Sequence, residues 1–119
     1  MIRLFGAAVV AASVIGVLPA QGAANKTVLH ISTASGAAMK YSTTSLRARA
    51  GVVSIVMKNV SILPHDVAIK GNGVNAKGKL VGQGGTSTVK AALKPGKYEF
   101  YCTVPGHEAA GMKGTLTVT

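Results

Sequence analysis

Acid and cysteine are both scarce in this sequence. Its 119 residues include three acidic side chains, Asp66, Glu99 and Glu108, a single cysteine, Cys102, three histidines and no tryptophan. One cysteine excludes an internal disulfide, although disulfides commonly support exported domains of this size. After residue 24 no stretch has the three-and-four apolar spacing of a helix, so a helical bundle is excluded. A second long apolar run is also missing, which leaves no membrane span beyond the N-terminal segment. With so few carboxylates the charge is lopsided, at +10 for the whole chain. Such a field steers a protein toward acidic partners or anionic surfaces, or simply keeps it in solution.

What is present begins with an export signal. Arg3 precedes an apolar run from Leu4 to Leu18, and small residues follow in Pro19-Ala20-Gln21-Gly22-Ala23-Ala24. That order predicts a secretory signal peptide over residues 1–24, with cleavage leaving a soluble domain over 25–119. The alternative is retention of the run as a membrane anchor. No cysteine stands near the cleavage region, which argues against a lipoprotein. Removal of Arg3 with the leader leaves twelve cations against three carboxylates, or +9.

The remaining residues read as short strands between Gly- and Pro-rich turns. Lys26 to Ser32 predicts a first strand and Ala38 to Ser42 a weaker second. Leu46 to Ala50 alternates apolar with charged residues. Val53, Ile55 and Met57 share one face of the next strand, as do His65, Val67 and Ile69 between Pro64 and Lys70. Gly71-Asn72-Gly73 breaks that run, and Lys79-Leu80-Val81 predicts an edge strand. Val89, Ala91 and Leu93, then Tyr98, Phe100 and Cys102, then Gly114, Leu116 and Val118 define three further apolar faces. About eight short strands without helices predict an all-β sandwich.

One loop concentrates the chemistry. Between the last two strands, Cys102, His107 and Met112 follow the spacing C-x4-H-x4-M. A thiolate, an imidazole and a thioether are soft or borderline donors, a set that suits copper better than magnesium or calcium. A trigonal copper site needs a second imidazole, and His65 beside Pro64 can supply it. Cys102 taken alone could be a small buried hydrophobe, but an exposed free thiol in an exported protein oxidises. A nucleophilic Cys–His pair would leave Met112 without a role. Structural zinc favours repeated Cys and His and does not use methionine. A two-copper centre needs two bridging cysteines, and a multicopper enzyme needs more histidines than the one left over, His30. His30, Met39 and Met57 are read as structural.

The run Lys94-Pro95-Gly96-Lys97-Tyr98-Glu99-Phe100-Tyr101-Cys102, with the His and Met that follow and Pro64-His65-Asp66-Val67 upstream, resembles the cupredoxin family. The resemblance implies an eight-stranded Greek-key sandwich and one type 1 copper ion. His65, Cys102 and His107 would be the equatorial ligands and Met112 the axial one. It further implies a non-enzymatic, exported, periplasmic or extracellular protein that carries single electrons. Its partner would be another redox protein, acidic to match the charge, such as a cytochrome or a copper reductase or oxidase. No nucleic acid is expected, and the chain is expected to be a monomer. The alternative is a protein for copper delivery or storage, which would be expected to display Met- or His-rich clusters that this sequence lacks. Two departures stand out. Plastocyanin and pseudoazurin have two residues between the cysteine and the next histidine, whereas this loop has four, closer to azurin- or auracyanin-like loops. The family's usual Asn after the first histidine is replaced by Asp66, expected to accept hydrogen bonds from Thr103.

Overall fold

The structure is a computed structural model that describes residues 25–119. The expected leader over residues 1–24 lies outside the described residues. Eight strands follow in order: β1 (Lys26–Ser32), β2 (Ser45–Ala48), β3 (Gly51–Lys58), β4 (Ala68–Gly71), β5 (Val74–Lys77), β6 (Thr86–Leu93), β7 (Gly96–Tyr101) and β8 (Lys113–Val118). They form a three-stranded sheet in the order β1-β3-β6 and a five-stranded sheet in the order β2-β8-β7-β4-β5. The pairs β1–β3 and β2–β8 are parallel and the remainder antiparallel. Parallel neighbours cannot be joined by a hairpin, so the chain crosses between the sheets repeatedly.

Side-chain alternation explains how the sheets face one another. In β3, Val53, Ile55 and Met57 are fully buried, and the residues between them are only partly covered. Val89 and Leu93 from β6 complete the inner face of that sheet. Tyr98 and Phe100 from β7, with Leu116 and Val118 from β8, meet them from the other side. Each of these aliphatic or aromatic side chains contributes roughly 1.5–3 kcal/mol of burial, the dominant favourable term in a domain without disulfides. Gly114 of β8 lies directly opposite Phe100 of β7, and the aromatic ring occupies the space where a side chain would stand.

Four expectations are corrected. Ala38 to Ser42 is not a strand. It is a loop joined to the end of β1 by one bridge, Thr33 to Tyr41, and held by the buried Tyr41. Lys79 to Val81 is not the edge strand, because Val81 pairs only with His65. The edge is β5, and Gly71-Asn72-Gly73 is a hairpin turn rather than a break. Asn72 and Gly73 both have positive φ, 47° and 82°, which a two-residue turn of the primed type requires. The segment around His65 also differs, since β4 begins only at Ala68. All five residues from His65 to Ile69 are buried, not every second one, because the segment is covered on both faces.

Candidate metal centre

Two stretches of chain converge at one end of the sandwich. The first runs from the end of β3 to the start of β4 and carries His65. A two-way bridge fixes its backbone: His65 N–H donates to the Val81 carbonyl (3.1 Å) and Val81 N–H donates back (3.0 Å). The buried side chain of Asn59 acts as a spacer under this stretch. Its amide donates to the carbonyls of Leu63 and Val81, both at 2.9 Å, and its oxygen accepts from Ser61 N–H at 2.9 Å. The second stretch is the loop from Cys102 to Met112. Cys102 N–H donates to the Met112 carbonyl (3.2 Å) and Met112 N–H to the His107 carbonyl (3.0 Å), so the base of the loop is closed. Gly106 and Gly111, at φ 86° and 110°, take left-handed turns that L side chains disfavour.

The result is a compact donor cluster. His65 Nδ1 lies 3.1 Å from His107 Nδ1, and Cys102 Sγ lies 3.8 Å and 3.6 Å from the same two nitrogens. All three side chains and Met112 are buried, and only His107, at 9% exposure, reaches the surface. The two rings meet edge to face at 60°. Burial pushes the Cys102 thiol above its ordinary range, so binding of a metal there must release its proton. Burial, and then the neighbouring His107, hold His65 below the ordinary imidazole value, which keeps its lone pair free. Buried nitrogens aimed at each other and at a thiol form a donor set for a soft or borderline ion.

Asp66 links the two stretches. Its carboxylate accepts from Thr103 N–H at 2.7 Å and from the Thr103 hydroxyl, as expected from sequence. Its own carbonyl accepts from the Tyr41 hydroxyl (2.7 Å), and the side chain is 1% exposed. The other two carboxylates lie outside the cluster. Glu108 pairs with Lys70 at 2.8 Å at a partly exposed position, and Lys70 also sits 4.3 Å from the Tyr101 ring centre. Exposed pairs of that kind add little to stability.

Residues 27–119 match the model of the copper-binding proteins of the plastocyanin/azurin family. The chain belongs to that family. This cupredoxin has relatives among the auracyanins. A stretch of 38 residues is 55% identical to auracyanin-B of Chloroflexus aurantiacus, covering 32% of this chain and 16% of that protein. The chain thus spans only about a sixth of that curated relative's length. The dithionite-reduced auracyanin of Roseiflexus castenholzii superposes with a TM-score of 0.68 at 27% identity, over 82% of this chain and 99% of that one. Auracyanin A of Chloroflexus aurantiacus, described as a blue copper protein, gives 0.68 at 25% identity, over 80% and 100%. Copper is the family's metal, and a thiol, two imidazoles and a nearby buried thioether fit it.

The structure gathers His65, Cys102 and His107 within 4.8 Å of one another and buries Met112 at the foot of the same loop. His30 lies exposed on β1, apart from the cluster. Sequence reading gave Asn59 and Tyr41 no part in the site. Both donate to backbone carbonyls, those of Leu63, Val81 and Asp66, and a pattern of side chains carries no signal for those.

Proposed function

We propose that this cupredoxin carries single electrons in the cell envelope or outside it. In this reading residues 1–24 are an export leader and 25–119 the working domain. His65, Cys102 and His107 would hold the metal, with Met112 as a weaker donor from the same loop. The observation that carries the reading is the buried cluster of two imidazole nitrogens and one thiol at 3.1–3.8 Å. Copper bound there would supply a Cu(I)/Cu(II) couple. Two imidazoles and a thiolate with a weaker thioether would suit both oxidation states, so a site already built by the protein would need little rearrangement.

The protein's own residues supply the rest. Burial excludes water from the donors, and His107, the least covered of the three, gives the shortest route to the surface. Ile62, 62% exposed, together with Pro64, Pro105 and Ala109, offers apolar contact around it. Exposed lysines further out steer an acidic redox partner. Titration with Cu(II) is expected to give an intense blue band and a reversible one-electron wave. A pale complex, or an irreversible wave, would reject the assignment.

Two substitutions probe the tuning of the site. Met112→Leu removes a donor that favours Cu(II), and Asp66→Asn removes a buried negative charge while keeping an acceptor for Thr103. Both variants are expected to retain copper and to raise the reduction potential, each by roughly 50–100 mV, or about 1–2 kcal/mol for one electron. Voltammetry of the two proteins beside the parent decides it. An unchanged potential in either removes that residue from the tuning role.

A further inference from the structure

The opposite end of the sandwich carries a second surface of distinct chemistry. β3 begins there at Gly51 and runs eight residues to Lys58 at the metal end, a separation of ~25 Å at strand rise. Ala50, Val52, Ala92, Leu93 and Pro95 line an apolar groove of about 430 Å³ there. Lys94 forms part of its wall. Lys26 pairs in register with Val52, and Lys90 lies two residues before Ala92 on the same strand face. Arg49 adjoins Ala50, and Arg47 and Lys97 flank Thr117 in one register row. All six cations are exposed, and they are half of the twelve in residues 25–119. No acidic side chain lies at this end. Asp66 and Glu108 belong to the metal end, and Glu99 stands farther along β7.

The chain also enters the domain here. Val52 N–H donates to the Asn25 carbonyl (2.9 Å), and the Asn25 side chain donates to the Ala50 carbonyl (3.2 Å). An apolar groove at an end rich in cations matches the chemistry of an anionic bilayer, whose headgroups pair with Lys and Arg while the interface accepts apolar surface. A second copy would bring the same six cations against these and be repelled.

We propose that this end of the domain docks on an anionic lipid bilayer, leaving the His65–Cys102–His107 end facing away from the membrane. The proposal does not depend on the electron-carrier reading, since it uses none of the metal-binding residues.

Residues 25–119, the described residues, contain the eight strands, their core and the donor cluster, so this portion can be tested alone. It is to be sedimented with vesicles of phosphatidylcholine with or without phosphatidylglycerol. Binding is expected only with phosphatidylglycerol. The variant Arg49→Glu/Lys90→Glu/Lys94→Glu should lose about tenfold or more in vesicle affinity, whereas Lys58→Glu/Lys77→Glu/Lys79→Glu, with the same change in net charge, should lose far less. If the first variant fails to fold, the corresponding triple Gln variant must still weaken binding more than its Gln control. Equal losses in the two sets would reduce the effect to bulk charge and overturn the proposal. Absence of binding to phosphatidylglycerol vesicles at low salt, or capture by an acidic protein alone, would overturn it as well.

Discussion

Replacement of Cys102 by Ser is expected to abolish the intense visible absorption of the copper-loaded protein and to leave the sandwich folded. The thiolate is the only soft anionic donor in the cluster, and its sulfur sits 3.6–3.8 Å from both imidazole nitrogens. A hydroxyl at the same position is a harder donor that stays protonated near neutral pH, so the charge-transfer band has no source. The fold should lose little, since Ser is close in size and the neighbouring backbone bond from Cys102 N–H to Met112 is retained. Burying an unpaired hydroxyl costs about 1–3 kcal/mol. Absorption spectra and thermal melts of parent and variant, each with copper, separate the two effects. Persistence of the intense band would remove Cys102 from the ligand set.

The second large effect concerns stability. A Cβ placed on Gly114 would lie 2.6 Å from Phe100 Cε1 and 2.7 Å from the Thr44 carbonyl oxygen. Neither neighbour can yield easily. Phe100 is fully buried against Tyr41, with ring centres 5.6 Å apart, and the Thr44 carbonyl already accepts the Thr115 N–H at 2.9 Å. Gly114→Ala is therefore expected to destabilise by about 1–3 kcal/mol, which lowers the midpoint by roughly 5–20 °C in a domain of this size. Gly82→Ala is the control, because its Cβ would meet no atom within 4 Å. Equal midpoints for the two variants would show that the Phe100 ring and the Thr44 backbone shift at little cost.

How much of this was legible in the sequence depended on where each residue's partners lie. β3, β6, β7 and β8 carry their apolar residues at every second position, because each has one face on the core, and that pattern survives in one dimension. The stretch from His65 to Ile69 does not, since it is buried on both faces. The turn at Asn72–Gly73 was read as a break because Gly and Asn end strands as readily as they connect them. Three of the proposed ligands announce themselves by sharing one loop of eleven residues, Cys102 to Met112. His65 was legible only through the need of such a site for a second imidazole, on a strand face that is otherwise apolar. Asn59 gave no signal, because its work depends on a carbonyl at Val81, 22 residues away.

The linkage from Asp66 to Thr103 also bears on the order of events in the life of the protein. It ties the His65 stretch to the Cys102–Met112 loop through bonds between protein atoms. The Asn59 spacer and the closed base at Met112 hold the remaining walls in the same way. A cavity shaped by such contacts does not need its ion as a template, so folding comes first and filling second.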